Sequence, residues 1–310
     1  MNNEPRDFSV VVPVYNSEKT LVELHERLEA VFLNMGKTYE VIYINDCSRD
    51  KSLTVLQELY DKNDNVIVID LFRNFGQQNA LMCGFNYCSG RYVVTLDDDL
   101  QNPPEEIVNL YAKIEDGFEA VFGASIKKEN RAYTNLGSYL IRKLCHKIFK
   151  IHNDLRFSSF RIIRKEIIDE IKEMKTPFPY ISGMLLSVTT SITNLPVQHH
   201  PRKTGSSGYT FKKLIKLAFN LLINYSSIPL RYAGFAGLAV SFVSFITGVV
   251  IIIRKLVIGA ILPGWTSIMV LISFYNALIL IIFFFLGEYL SRFLREVTNE
   301  KQFSIKRILK

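Results

Sequence analysis

Two long stretches without a charged residue limit what this chain can fold into. They cover residues 232–253 and 256–287. A helix needs about 20 apolar residues to cross the hydrocarbon core of a bilayer, and each stretch is long enough. Pro263 and Gly264 would form the turn before the second helix, with Trp265 at the interface. The pattern predicts two transmembrane helices. The alternative, a pair of buried core helices, rarely contains uncharged stretches of this length.

Basic residues flank this hydrophobic region on both sides. They are Arg202, Lys203, Lys212, Lys213, Lys216 and Arg231 before it, and Arg292, Arg295, Lys301, Lys306, Arg307 and Lys310 after it. Arg254 and Lys255 lie in the connecting loop, but they are fewer, so the positive-inside rule predicts that both flanks are cytoplasmic. The net charge of +7 therefore indicates a membrane-facing surface. No aromatic and basic motif of a nucleic-acid-binding protein is present, and we expect no nucleic-acid partner.

The segment 211–225, FKKLIKLAFNLLINY, has polar residues every four positions and apolar residues on its other faces. Periodicity alone fits an ordinary packing helix as well as a helix in the headgroup plane. Its place just before a membrane span favours the second. We therefore predict a cytosolic domain over 1–210, juxtamembrane amphipathic helices over 211–231, a transmembrane hairpin over 232–287 and a cytosolic basic tail over 288–310.

The first 125 residues alternate between apolar, β-branched runs and helical patterns. The runs are 8–14, 39–45, 66–70, 92–97 and 120–122, and the helical patterns are 18–33, 52–60, 77–87 and 104–114. Strands that are apolar on both faces and alternate with helices predict an α/β domain with a mostly parallel sheet. In such sheets ligands bind beyond the carboxyl ends of the strands.

The loops that follow four of these strands are rich in polar residues. Pro13, Tyr15 and Glu18 follow the first strand, Asp46 the second, Arg73 and Gln77 the third, and Asp97, Asp98, Asp99 and Gln101 the fourth. No G-x-G-x-x-G follows the first strand and no G-x-x-x-x-G-K-[ST] occurs. The first absence argues against a dinucleotide-dependent oxidoreductase, and the second argues against a P-loop NTPase.

Three consecutive carboxylates end the fourth strand. They repel one another unless a cation is present, and oxygen ligands beside a phosphate site suit Mg²⁺ or Mn²⁺. In an extended segment Asp97, Asp99 and Gln101 project to one side and Asp98 to the other. We predict Asp99 and Gln101 as metal ligands, with Asp97 nearby and Asp98 on the sugar or ribose. The alternative is a solvated acidic turn.

The segments SVVVPVYNSE, VIYINDCSRD, RNFGQQNA and TLDDDLQNPPE resemble the successive motifs of inverting family 2 glycosyltransferases of the GT-A fold. FRIIRKEIID, HHPRKTGSSGYTF, SSIPLR and LGEYLSR narrow the resemblance to polyisoprenyl-phosphate glycosyltransferases. That group includes dolichyl-phosphate mannose synthases, bactoprenol glucosyltransferases and undecaprenyl-phosphate aminoarabinose transferases. The resemblance covers most of the chain.

The resemblance implies a GT-A, Rossmann-like catalytic domain followed by an interfacial helix and two transmembrane helices. It implies a nucleotide-sugar donor, a UDP-sugar on family frequency, and a polyisoprenyl phosphate acceptor such as undecaprenyl phosphate at the cytoplasmic membrane. Homo-oligomerisation through the spans is left open. By resemblance Asp46, Pro13, Tyr15 and Glu18 line the base pocket, and Asp97, Asp99 and Gln101 match the metal-diphosphate motif. Arg202 and Tyr209 match the loop that closes over the donor and meets the lipid phosphate, and Arg161 matches a position near the acceptor.

The chain departs from the family pattern at four places. Asn45 replaces the first Asp of an Asp-Asp pair, Asp154 is displaced from an acidic position, Gly208 replaces a lysine, and Ser125 replaces an arginine. Lys127, Lys128 or Arg131 would compensate for the last of these. Arg131, Arg161, Arg202 and Lys203 are the cations that could hold an acceptor phosphate, because guanidinium groups in particular bind phosphate through two hydrogen bonds. The alternative for each is a contact with lipid headgroups, which is favoured for Lys203.

We therefore expect metal-dependent, inverting transfer of one sugar onto a lipid phosphate. One alternative is a membrane-bound glycosyltransferase or polysaccharide synthase acting on a saccharide. Those enzymes usually carry Q-x-x-R-W, whereas Trp265 is the single tryptophan here. The other alternative is a catalytically inactive membrane scaffold, which would be expected to have lost the three carboxylates.

Overall fold

The structure is a computed structural model that describes residues 6–125, 155–174, 176, 179–200, 228–258, 264–297 and 301–310. The predicted amphipathic helix at 211–225 and the predicted site residues Arg131, Arg202 and Tyr209 lie outside this range, as does Asp154. The chain divides into two compact units. The first comprises Met1–Phe211 with Asn299–Lys310, and the second comprises Lys212–Thr298.

The first unit begins with alternating strands and helices at almost the predicted positions. In order they are β1 (Phe8–Val14), α1 (Leu21–Met35), β2 (Tyr39–Asn45), α2 (Ser52–Lys62), β3 (Val66–Leu71), α3 (Gln77–Phe85), β4 (Tyr92–Thr95), a 3₁₀ turn (Pro104–Glu106), α4 (Ile107–Glu115) and β5 (Ala120–Ser125). The predicted fourth strand ran to Asp97, whereas β4 ends at Thr95, so the acidic residues belong to the loop.

The remaining elements of this unit are β6 (Arg161–Arg164), α5 (Lys165–Glu173), α6 (Ile181–Val188), β7 (Ile192–Val197) and β8 (Ile305–Leu309). The strand order is β7-β5-β6-β4-β1-β2-β3-β8. β6 and β8 run antiparallel to their neighbours, and the other strand pairs are parallel. The prediction of an α/β domain with a mostly parallel sheet is confirmed.

Helices cover both faces of the sheet. One apolar layer includes Leu24, Leu28 and Phe32 of α1 with Leu110 of α4. The other includes residues of α3, α5 and α6, with Phe303 and Ile305 from the C-terminal segment packed against it. Both layers exclude water from the strands, so the strand ends are where polar chemistry can be placed.

The C-terminal residues form a strand, whereas residues 288–310 were predicted to be a cytosolic basic tail. β8 pairs with β3 and forms one edge of the sheet, and Lys306 lies at a register shift opposite Asp70 and Leu71. The backbone N–H of Phe72 donates to the carbonyl of Ser304 at 3.0 Å, and Tyr60 Oη donates to the carbonyl of Lys310 at 3.2 Å. The strand was not predicted because its basic residues are also typical of a solvated tail. Charged side chains are, however, common on an edge strand.

The second unit contains two long helices, α7 (Ile228–Ile258) and α8 (Trp265–Val297). The window Phe274–Ser291 in α8 is the one part of the described chain that passes a test of length and composition for a membrane span. Its mean hydropathy is 1.7 and none of it is buried. Large apolar side chains are exposed along both helices, including Phe235, Leu238, Phe242, Leu280 and Phe283. The two membrane spans, through α7 and α8, stay predictions.

Candidate active site

The loops that follow β1, β2 and β4 share an unusual backbone feature. Asn16, Cys47 and Leu100 have φ values of 56°, 57° and 59°, and no other non-glycine residue in the described part of the chain has a positive φ. One of them lies in each loop. Strained backbone of this kind persists only where surrounding contacts hold it, and it is frequent at functional sites.

The three consecutive aspartates diverge. Asp97 accepts hydrogen bonds from Gln77 Nε2 at 2.6 Å and from Ser159 Oγ. Asp98 turns toward the loop after β1, where its Oδ2 accepts the backbone N–H of Tyr15 at 3.1 Å. Burial raises the pKa of Asp98 to about 6, and the charges of Asp97 and Asp99 add to this rise. The protein therefore spreads three carboxylates over different partners instead of letting them face one another.

Asp99 and Gln101 lie beside the segment that follows β7. Asp99 Oδ1 accepts the backbone N–H of Gln101 at 3.1 Å, and Gln101 Nε2 is 3.5 Å from His199 Nε2. His199 Nδ1 lies 3.3 Å from Asn102 Oδ1, and the backbone N–H of His200 donates to the carbonyl of Gln101 at 2.8 Å. The segment that leads toward Arg202 is thus attached to the acidic loop.

The donor atoms in this loop fit a hard divalent cation. Asp97, Asp99 and Gln101 offer carboxylate and amide oxygens, which Mg²⁺ and Mn²⁺ prefer. Within the described ranges, no three His, Cys, Asp or Glu side chains converge closely enough to hold a metal by themselves. Mg²⁺ in particular is usually held by one or two carboxylates and completes its coordination with substrate phosphates and water.

Asp46 is a buried residue that follows directly after β2 and contacts the loop after β3. Its side chain is 3% exposed, and its two carboxylate oxygens accept the backbone N–H groups of Phe75 at 2.7 Å and Gly76 at 2.8 Å. Burial raises the pKa of Asp46, while these two N–H groups lower it. Gly76 has a φ of 87°, which favours glycine, so the turn can present both N–H groups to one carboxylate. Asp46 therefore joins β2 to the loop after β3.

The other predicted base-pocket residues lie in or beside the loop after β1. Pro13 is buried in β1, beyond Val11, the last β1 residue paired with β4, so its missing N–H costs no ladder bond there. Tyr15 is 45% exposed, which leaves its ring available to stack on a ligand. Glu18 accepts the backbone N–H of Lys51 at 2.9 Å and donates its own backbone N–H to Asp50 at 3.1 Å. These bonds join the loops after β1 and β2 into one wall.

Arg161 lies inside the protein. It is 1% exposed, and it donates from Nε to Thr95 Oγ1 and from Nη1 to Ser182 Oγ, both at 3.1 Å. Its guanidinium carbon is 5.7 Å from the centroid of the Phe122 ring. Burial lowers the pKa of Arg161 to about 10, and the charge of Asp97 opposes this shift. The guanidinium is enclosed by these contacts, so we expect Arg161 to support the site from inside the protein and not to contact an acceptor phosphate directly.

Three residues of this site were not assigned a role from the sequence. Gln77 and Ser159 bind Asp97, and His199 lies against Gln101. Gln77 could have been found from its place at the start of α3, directly after the polar loop that follows β3. Ser159 gave no such signal, because its position depends on β6 running antiparallel to β4, with Thr95 opposite Arg161.

The mostly parallel sheet, with its polar loops beyond the strand ends, has the architecture of a GT-A-like α/β domain. The chain belongs to glycosyl transferase family 2, whose model matches residues 9–172. The predicted family and the predicted class of enzyme are confirmed.

Similar proteins extend over nearly the whole chain. An undecaprenyl-phosphate 4-deoxy-4-formamido-L-arabinose transferase of Shewanella sediminis (strain HAW-EB3) is 33% identical and covers 99% of this chain and 94% of its own. An uncharacterized glycosyltransferase of Bacillus subtilis (strain 168) is 29% identical, covering 97% and 93%. Glucosyl-3-phosphoglycerate synthase from Mycobacterium tuberculosis, solved with Mn²⁺, UDP and phosphoglyceric acid, has a TM-score of 0.53 at 16% identity and covers 70% of this chain and 76% of its own. That structure supports the fold.

Proposed function

We propose that this protein transfers one sugar from a UDP-sugar to undecaprenyl phosphate. The reaction inverts the configuration at the anomeric carbon and depends on a divalent cation. The hydrogen bond from Tyr15 N to Asp98 Oδ2 carries the proposal. It joins the acidic loop, which suits a diphosphate and its cation, to the wall that suits a nucleoside. A nucleoside diphosphate needs these two subsites side by side.

The names of the relatives support the lipid acceptor. The Shewanella sediminis protein and a Klebsiella pneumoniae protein that is 31% identical are both named as transferases for undecaprenyl phosphate. Such an acceptor is a phosphate monoester with a second pKa near 6, so it is largely dianionic at neutral pH. It needs charge compensation and placement more than it needs a general base.

Charge compensation explains the residues of the site. Attacking and leaving groups are both anionic, and bringing them together in a partly dry site is unfavourable without cations. A divalent cation supplies electrophilic stabilisation of the leaving diphosphate when it is bound. Asp99 and Gln101 would hold it, Gln77 and Ser159 orient Asp97, and Arg202 and Arg131 are the cations proposed for the acceptor.

The second unit supports a location at the membrane. α7 and α8 contain 31 and 33 residues, and at 1.5 Å per residue either is longer than a hydrocarbon core of about 30 Å. Their exposed apolar side chains require an apolar environment. We propose that both helices span the cytoplasmic membrane and that the flanking basic residues keep the catalytic domain on the cytoplasmic face.

The test is sugar transfer by the full-length protein in detergent. Undecaprenyl phosphate and radiolabelled UDP-, GDP- and dTDP-sugars are supplied with and without Mn²⁺ or Mg²⁺, and the product is extracted into organic solvent. We expect a lipid-soluble product only with a divalent cation. Asp99→Ala should reduce the rate by about 100-fold or more, because it removes a proposed metal ligand.

Asp116→Ala is the matched control, since Asp116 is an exposed carboxylate that pairs with Lys113 at the end of α4. It should transfer sugar at the normal rate. Equal product in the presence of a chelator, or an undiminished rate for Asp99→Ala, would contradict the metal assignment. Product on a saccharide acceptor but not on the lipid would contradict the acceptor.

A further inference from the structure

Two buried polar side chains, Asn45 and Asp70, are bonded to each other close to Asp46, and Asn45 immediately precedes Asp46 in the chain. Asn45 ends β2 and stands opposite Asp70 of β3 in the parallel register. They are 2% and 6% exposed, and Asn45 Nδ2 donates to Asp70 Oδ1 at 2.7 Å. A buried carboxylate with a short bond to a neutral amide is an arrangement in which each group depends on the other.

The pair explains why an amide occupies position 45. An aspartate there would place a second buried carboxylate against Asp70, and like charges at this separation repel strongly. The amide instead donates a hydrogen bond. Asp70 Oδ2 lies 3.7 Å from Lys306 Nζ of the C-terminal strand β8, and this cation offsets the remaining charge. The family's acidic residue and the Asp70 carboxylate are therefore incompatible neighbours.

Contacts continue from the pair into the proposed nucleoside wall. Asn45 Oδ1 accepts the backbone N–H of Ser48 at 3.2 Å, and Ser48 Oγ accepts the backbone N–H of Asn16 at 3.1 Å. Between Asn45 and Ser48 lie Asp46 and Cys47, and Cys47 has a positive φ. The side chain of Asn45 thus bridges the strained turn that presents Asp46.

We infer that Asn45 and Asp70 are positioning residues that hold the Asp46 turn in the shape that binds the nucleotide. This inference rests on the proposed nucleotide-sugar donor. The residues need no contact with the donor, because they act through the turn. Loss of their bond should therefore weaken nucleotide binding and leave the lipid acceptor site unchanged.

The experiment measures UDP and GDP binding by calorimetry, with the full-length protein in detergent and Mn²⁺ present. Asn45→Asp should weaken nucleotide binding by about tenfold or more, the cost of losing a hydrogen bond to a charged group. The double variant Asn45→Asp with Asp70→Asn restores one amide and one carboxylate, and the carboxylate introduced at position 45 keeps an acceptor for the N–H of Ser48. It should recover most of the affinity. The donor KM should follow these changes and the KM for undecaprenyl phosphate should not.

Asn86→Asp is the control for adding a carboxylate in place of an amide. Asn86 follows α3 and donates to the carbonyl of Met82 at 2.7 Å, at the opposite end of that helix from Gly76. The Asn86→Asp variant should bind UDP and GDP with the affinity of the unaltered protein. Normal affinity in Asn45→Asp would overturn the inference, and so would a double variant that regains its melting temperature but not its affinity. If Asn45→Asp does not fold, the double variant decides. Absence of nucleotide binding by the unaltered protein would instead overturn the proposed donor, and the inference with it.

Discussion

Ser159 donates a hydrogen bond to Oδ2 of Asp97, although 62 residues separate them in the chain. Ser159 lies just before β6 and Asp97 just after β4, and these strands are antiparallel neighbours. The backbone carbonyl of Ser159 also accepts from Thr95 Oγ1. The acidic loop is therefore held by the segment that precedes β6.

This contact predicts that Ser159→Ala weakens metal binding. Without the hydroxyl, Asp97 loses one of its orienting hydrogen bonds, so the Mn²⁺ concentration for half-maximal activity should rise by about tenfold. Titration of Mn²⁺ into chelator-treated protein, followed both by calorimetry and by transfer rate, measures the change. Ser158→Ala is the control, since Ser158 Oγ accepts from the backbone of Phe160. An unchanged Mn²⁺ requirement in Ser159→Ala would contradict this role.

Arg202 is predicted to hold the acceptor phosphate. Arg202→Ala should raise the KM for undecaprenyl phosphate by about tenfold or more, because a guanidinium binds phosphate through charge-assisted hydrogen bonds. The dissociation constant of UDP should rise by less, because Arg202 also matches the loop that closes over the donor in the family that the chain resembles. Lys203→Ala, one residue along, should have a smaller effect. Equal loss of lipid use and nucleotide binding in Arg202→Ala would count against the assignment.

Arg161 should behave as an internal residue. Arg161→Gln removes the charge and part of the bonding to Thr95 and Ser182, so it should lower the free energy of unfolding by about 2–3 kcal/mol. We expect a lower melting temperature and kcat, with an unchanged KM for undecaprenyl phosphate. Arg156→Gln, at an exposed position, serves as the comparison. A raised acceptor KM at an unaltered melting temperature would show that Arg161 reaches the acceptor.

His25 should make stability depend on pH. It is buried in α1 with Nδ1 3.2 Å from Tyr43 Oη, and burial lowers its pKa below the ordinary 6.5. The unfolded chain then binds a proton more readily than the folded protein, so stability falls as the pH drops below 6.5 and is retained above it. His25→Gln cannot titrate and should lose less stability between pH 7.5 and pH 5.5 than the unaltered protein. Melting temperatures across this range provide the measurement, and identical pH profiles would refute the assignment.

The C-terminal strand should contribute to the stability of the first unit. Ile305 packs against the apolar layer formed with α3, α5 and α6, whereas Ile308 is 39% exposed. Ile305→Ala should therefore lower the free energy of unfolding by about 1–2 kcal/mol, and Ile308→Ala by less. Thermal unfolding of the two variants compares them within one strand. Equal effects would mean that β8 does not pack on the core as the structure has it.

The alternating strands and helices up to β5 could be predicted from the sequence alone. Apolar runs that end in polar loops fix β1 to β4 because a strand buried on both faces tolerates few other residues. The same reasoning places Asp46 and Asp97 to Asp99 at the same end of the sheet, beyond the carboxyl ends of its parallel strands. Family membership followed from those same segments.

The antiparallel strands β6 and β8 depended on the tertiary structure. Nothing local to Arg161–Arg164 or Ile305–Leu309 specifies a partner strand, because short strands pair according to which edge is left open. Arg161 illustrates the consequence. As a sequence position it suggested a phosphate ligand, but its register opposite Thr95 puts its guanidinium inside the protein.

Local sequence determined which residues carry the chemistry, because charge and hydrogen-bonding capacity belong to each side chain. The fold decided what those side chains face. Asn45 became a donor to Asp70 and Ser159 a donor to Asp97 only when distant strands were brought into register. Hydrogen bonds act over about 3 Å, so roles that depend on them are set by packing between segments far apart in the chain.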